Sequence, residues 1–298
     1  MLHARRHLAA AVLGSLAAVA CQREPAPAPA APPPVAAAPQ QPVLQQLAAP
    51  AAASPAPPPR PELVAFPAGA LTLHGWIYKP PGPGPFPAIV FNHGSEPLPG
   101  WKPDQAQFYV AHGFVLFVPH RRGQGRSQDA GPSINNLDGK SPELVDALAA
   151  QADDVMAGVA YAASLPYVDK RRIAAIGCSL GGIESLFAAE RGTDLVAAVD
   201  FAGAAITWAD NPALQDRMKR AARNAKVPVF FVQAENDFDT APSLVLSDEM
   251  KRAGKPMRVH VFPAKGSSHM DGHGFCLGGP QPAWGPEVLD FLAAAMPK

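Results

Sequence analysis

Residues 172–182, RIAAIGCSLGG, hold a serine, Ser179, between two glycines at the end of a short apolar run. The pattern is G-x-S-x-G. A buried strand that stops at the serine and turns at once into a helix leaves the hydroxyl standing at the corner, while Gly177 and Gly181 keep side chains out of the tight crossing. The flanks fit this reading, since residues 173–176 read as an apolar strand and residues 183–190 as a helix. A serine hydroxyl is a poor nucleophile until a base takes its proton, and the base needs a carboxylate to orient it. The apolar run 227–232 leads into Gln-Ala-Glu-Asn-Asp-Phe-Asp, which offers Asp237 as the acid, with Glu235 and Asp239 beside it and Asp200 after an earlier strand as alternatives. Beyond the run 258–262 come two candidate bases, His269 and His273. Serine, acid and histidine then follow one another in the order that an α/β architecture uses.

These groups can meet only if strands and helices bring them to one edge. Residues 63–66 and 71–78 read as an opening antiparallel pair; 88–91, 114–118, 195–201, 227–232 and 258–262 read as further strands. Helical runs fall at 104–112, 213–224, 243–252 and 286–296, and Ser141-Pro142 starts a long helix that ends near Leu165. Strands alternating with helices predict a mostly parallel sheet covered on both faces. Ligands of such sheets bind beyond the carboxyl ends of the strands, where every polar candidate above lies.

The segments Asn92-His-Gly-Ser95, RRGQGRS at 121–127, residues 166–182, Glu235-Asn-Asp237 and Gly272-His-Gly-Phe275 together resemble the α/β-hydrolase fold from about Glu62 onward. Within that fold the chain is similar to the dienelactone hydrolase family and its prolyl-oligopeptidase-like relatives. The resemblance implies a Ser-His-Asp triad of Ser179, His273 and Asp237, because the family commonly closes its histidine loop with His-Gly-Phe. It also implies an oxyanion hole formed by the N–H groups of Leu180 and Ser95. His93 reads as a structural histidine bracing that loop, with a second base as the alternative. The founding members use cysteine as nucleophile, whereas here the cysteine stands one position before Ser179, which sets dienelactone itself aside as substrate. The function expected is hydrolysis of carboxylic esters of short or medium acyl chains. Two alternatives are a peptidase or amidase of the prolyl-oligopeptidase-like branch and a catalytically inactive envelope binding module. Glu96 reads either as an active-site carboxylate or as a solvated loop charge. Arg121 and Arg122 read either as a clamp for an anionic substrate group or as ties for their own loop.

Composition narrows the partners. Lys+Arg and Asp+Glu both number 25 in 298 residues, so nothing marks nucleic acid as a partner. Metal-ligand spacing, a phosphate loop and a dinucleotide fingerprint are all missing from the sequence, so no metal and no cofactor are expected. The expected partner is a small-molecule ester. Residues 1–21 read as an export signal, with Arg5-Arg6 ahead of a 13-residue apolar run, 8–20, that is too short to span a bilayer comfortably. Ala18-Val19-Ala20 fits either ordinary cleavage or a lipobox ahead of Cys21, and acylation of Cys21 is the preferred reading. Residues 22–61 hold 14 of the 36 prolines and almost no large apolar side chain, so they are expected to form a disordered, extended spacer rather than a core. Residues 62–298 are expected to be the catalytic domain, located in the cell envelope or periplasm. Of three cysteines, Cys178 and Cys276 flank proposed catalytic residues. A bridge between them is conceivable, but two free, partly buried thiols are expected.

Overall fold

A computed structural model describes residues 59–192, 194–279 and 282–297. The leader, Cys21 and nearly all of the proline-rich spacer lie outside these residues. Eight strands form one sheet: β1 (Glu62–Ala68), β2 (Leu71–Tyr78), β3 (Phe86–Asn92), β4 (Val115–His120), β5 (Val168–Cys178), β6 (Ala197–Phe201), β7 (Val229–Ala234) and β8 (Met257–Phe262). Their spatial order is β1-β2-β4-β3-β5-β6-β7-β8. The opening pair is antiparallel, β2 also runs antiparallel to β4, and every later pairing is parallel. This is the α/β-hydrolase fold.

The helices are α1 (Pro103–Ala111), α2 (Pro142–Ser164), α3 (Leu180–Arg191), α4 (Pro212–Asn224), α5 (Ala241–Arg252), α6 (His269–His273) and α7 (Gly285–Ala295). Successive strand residues point to opposite faces. Val90, Ala175 and Phe231 therefore pack with Leu148 and Val155 of α2, Leu186 of α3 and Met218 of α4. Phe91, Ile176 and Phe230 face the other way, onto Phe108 and Tyr109 of α1 and Val288 and Leu292 of α7. With both faces covered, the central strands carry unbroken apolar runs instead of alternation. Helix α2 starts as its sequence indicates, with Pro142 in its first turn and the Ser141 side chain accepting from the Leu144 N–H.

Two local features differ from the sequence expectation. Strand β5 begins at Val168, five residues before the apolar run, because Phe86 pairs with Val168 before the register shifts towards Ala88. The histidine loop contains the short helix α6, started by a capping box in which Ser268 and Asp271 satisfy each other's backbone N–H groups.

Candidate active site

Ser179 leaves the end of β5 with φ 57° and ψ −118°, a left-handed conformation that a serine adopts only under constraint. The constraint is close packing: a Cβ on Gly177 would stand 2.0 Å from the Gly181 carbonyl oxygen, and one on Gly181 would stand 2.0 Å from the Asn92 carbonyl oxygen. Asn92 Nδ2 donates to Ser185 Oγ at 2.9 Å, and that hydroxyl donates to the Gly181 carbonyl at 2.8 Å, locking strand β3 against the turn.

His273, at the end of α6, lies with Nε2 2.8 Å from Ser179 Oγ and Nδ1 2.9 Å from Asp237 Oδ1. An ionised carboxylate only accepts, so Nδ1 carries the proton and Nε2 is left to accept from the serine hydroxyl. Asp237 is buried, and Gln233 Nε2 and the Phe238 N–H donate to its two oxygens at 2.9 and 2.7 Å. Gln233 is itself held by the Ser243 hydroxyl at 2.7 Å. Sequence reasoning missed Gln233; its signal was an amide at the buried end of an apolar strand, four residues before the acid.

The other candidates lie elsewhere. His269 is exposed and bonds the Asn236 carbonyl through Nδ1 at 3.1 Å. Glu235 is exposed, and Asp239 caps the Ala241 N–H at 2.8 Å. Asp200 is buried at the end of β6, where one oxygen accepts from the Gly203 N–H at 2.8 Å and the other has no partner. Burial pushes its carboxyl up to about 7, against the pull of that N–H.

Leu180 is the first residue of α3, so its N–H has no acceptor within the helix. The Ser95 peptide is oriented from behind. Arg121 Nη2 and His93 Nδ1 both reach the Gly94 carbonyl at 2.9 Å, and Asn135 Nδ2 donates to the Ser95 carbonyl at 2.7 Å. In a trans peptide the N–H points opposite to the preceding C=O, so a grip on the Gly94 carbonyl directs the Ser95 N–H away from Arg121. Ser95, Ser179 and Leu180 line one cavity of about 120 Å³ with Leu144, Leu148, Ile183 and residues 204–207. A larger groove of about 640 Å³, bordered by Trp76, Trp101 and Arg126, includes none of the triad candidates and is set aside as the site of chemistry.

Arg121 is fully buried, which rules out the substrate clamp for this residue. It donates to the His93 carbonyl at 2.9 Å, and its Nε lies 2.8 Å from Glu184 Oε2, off the N–H direction. Burial pushes the Glu184 carboxyl up to about 8, with the Arg121 charge opposing. Arg122 is tied to Asp154, which accepts from its backbone N–H at 3.0 Å and its guanidinium at 2.6 Å. His93 is buried and held well below its ordinary range, first by desolvation and then by the Arg121 charge, which suits a brace and not a base. Glu96 pairs with Lys102; burial pushes its carboxyl up, but Lys102 outweighs burial and the net shift is downward. Cys178 and Cys276, expected as free thiols, form a disulfide with their Cα atoms 5.9 Å apart. The fold alone brings the end of β5 and the histidine loop close enough for a bridge, a proximity that 98 residues of separation conceal.

Residues 73–276 match the dienelactone hydrolase family. The chain belongs to the dienelactone hydrolase family. Protein usf of Aquifex pyrophilus is 27% identical over 182 residues, which span 59% of this chain and 71% of that protein. Among solved structures, the acylaminoacyl peptidase of Pyrococcus horikoshii superposes with a TM-score of 0.65 at 21% identity, covering 82% of this chain and 43% of the peptidase. Dipeptidyl peptidase 4 of Porphyromonas gingivalis gives 0.60 at 17%, covering 80% and 36%. This dienelactone hydrolase family member thus spans less than half the length of those peptidases, and at such identities the likeness is one of fold.

Proposed function

We propose that the protein is a serine hydrolase of carboxylic esters that works through Ser179, His273 and Asp237. The single observation that carries this reading is the continuous chain of hydrogen bonds from Asp237 through both nitrogens of His273 to Ser179. In the proposed cycle His273 Nε2 takes the hydroxyl proton as Ser179 Oγ attacks the ester carbonyl. The Ser95 and Leu180 N–H groups receive the developing oxyanion. The imidazolium, steadied by Asp237, then protonates the leaving alcohol, and an acyl-enzyme remains. Water, deprotonated by His273, releases the acid by the same steps in reverse roles.

Because His273 must hand its proton to the leaving group, the alcohol lies on the His273 side. The cavity lined by the oxyanion candidates and by no residue of the histidine loop then receives the acyl group. At about 120 Å³ it is smaller than the apolar cavity of about 150 Å³ that holds benzene, which suits acyl chains of roughly two to four carbons. On the alcohol side the exposed Phe238 ring stands edge-on to His273, with ring centroids 5.7 Å apart.

Ser179→Ala is expected to lower turnover of p-nitrophenyl acetate by about 10⁵- to 10⁶-fold, and a fluorophosphonate probe to label the unaltered chain at Ser179. A loss of only a few-fold, or no labelling of folded protein, would sink the reading. Amide hydrolysis is the competing activity on this fold; aminoacyl anilides turned over faster than nitrophenyl esters would transfer the proposal to it.

The protein is further proposed to be exported and acylated at Cys21. The reading is supported by the apolar run after Arg5-Arg6 and by a disulfide, a bond that persists in oxidising compartments. Cys21→Ser should move the protein from the membrane to the soluble envelope fraction, and an unchanged membrane fraction would count against acylation.

A further inference from the structure

We propose that the Cys178–Cys276 disulfide is a positioning element of the active site, pinning the loop that carries the general base to the strand end that carries the nucleophile. The inference rests on the serine hydrolase reading above. Ser179 and His273 are 94 residues apart along the chain, yet Cys178 immediately precedes the serine and Cys276 lies in the turn that follows the histidine. Through the bridge, the covalent path between the two catalytic side chains crosses only residues 178–179 and 273–276.

The two ends of that path are built differently. Cys178 closes β5, which is hydrogen-bonded on both sides, to β3 and to β6. Between the end of β8 at Phe262 and the start of α7 at Gly285, the described residues of the His273 loop form no strand. Its first half is anchored by Asn236, whose Nδ2 donates to the Lys265 and Ser268 carbonyls at 2.8 and 2.9 Å. Past His273 the polar anchors are Lys265 Nζ on the Gly274 carbonyl at 3.0 Å, Trp284 Nε1 on the Phe275 carbonyl at 2.9 Å and a long contact of 3.4 Å from Gln105 to the Cys276 carbonyl, and the Phe275 and Cys276 side chains are buried. The bridge is the covalent tie of this half, and both cysteines are buried beneath the site. A base must be held within a fraction of an ångström of its partner, and a misplacement near 1 Å costs on the order of a hundredfold in rate.

Opening the bridge with dithiothreitol tests this. A thiolate of the dithiol attacks one sulfur, and its second thiol then closes the reagent into a cyclic disulfide. Two electrons and two protons pass to the protein, leaving Cys178 and Cys276 as thiols. Oxidised and reduced full-length chains are compared on p-nitrophenyl acetate well below the melting temperature. Thiol titration reports the bridge and circular dichroism the fold. The expected result is a kcat lower by about ten- to a hundredfold, with KM within about twofold, and full recovery on reoxidation. The double variant Cys178→Ala/Cys276→Ala should show the low kcat and no response to the dithiol, and it decides the matter if the buried bridge resists reduction. Full kcat in the double variant, or in a chain that has gained two titratable thiols on reduction, would overturn the proposal. So would a loss that follows the loss of circular dichroism, since the bridge would then hold the fold and not the base. Fluorophosphonate labelling separates the two levels. No label on Ser179 in oxidised, folded protein refutes the serine reading itself, whereas normal labelling with bridge-independent turnover refutes the bridge alone.

Discussion

At the scale of single residues, the proposed chemistry would depend on groups that never touch a substrate. Arg121 is the clearest of them. It spans the loop of the proposed oxyanion hole, through the His93 and Gly94 carbonyls, and helix α3 after the proposed nucleophile, through Glu184. Its effect on rate follows from peptide planarity, since the guanidinium fixes the direction of the Ser95 N–H by holding the carbonyl at the other end of the same peptide. Removing Arg121 alone would leave the buried Glu184 carboxyl without its facing partner and confound stability with catalysis. The informative variant is therefore Arg121→Met/Glu184→Met. It should lower kcat by about 10- to 10³-fold, because one oxyanion donor is loosened, and weaken a boronic acid inhibitor by a similar factor. Unchanged kcat and inhibitor affinity in a folded double variant would reduce Arg121 to a packing role.

At the scale of elements, the alternation of apolar runs and helical patterns was enough to place the sheet and the elbow. The runs at 88–91, 227–232 and 258–262 fall within β3, overlap β7 and fall within β8. Double burial makes β3 and β7 conspicuous, because a strand covered on both faces carries few polar side chains, whereas β8, at the sheet edge, is half-buried and alternates Arg258 and His260 with valines. The site was legible in part. Ser179 announces itself because its turn tolerates only glycine at two neighbouring positions, and Asp237 because it follows a buried strand. Spacing alone leaves His269 and His273 level, and the preference for His273 comes from the His-Gly-Phe resemblance; the physical distinction is the helical turn of α6, set by the Ser268–Asp271 capping box in three dimensions. The bridge was hidden for a similar reason: a contact across 98 residues is a product of strand order, and strand order is not written in periodicity. Gln233, Gln151 and Glu184 stayed invisible because a polar residue in an apolar run reads as noise until its buried partner is known.

At the scale of the whole molecule, the same burial that builds the site makes stability depend on pH. Asp200 sits under the elbow with one oxygen unpartnered, and its carboxyl is raised from 3.8 to about 7 in the folded chain. An unfolded chain releases this proton near 3.8, so between that value and about 7 the folded state binds more protons than the unfolded one. Stability from this group is therefore greatest below the lower value, falls as pH rises through the interval, and levels off above the upper value. The whole interval corresponds to at most roughly 4 kcal/mol. Asp200→Asn keeps an acceptor for the Gly203 N–H and removes the titration. Melting temperatures of the two proteins should differ by a nearly constant amount below about pH 4, and the variant should then gain steadily on the unaltered chain up to about pH 7. Taking the difference cancels the titration of every other group, including the surface carboxylates that act in the opposite direction. A difference that stays flat across the range would mean that Asp200 is ionised in the folded protein, with a counter-charge or a water supplying the partner that its second oxygen lacks.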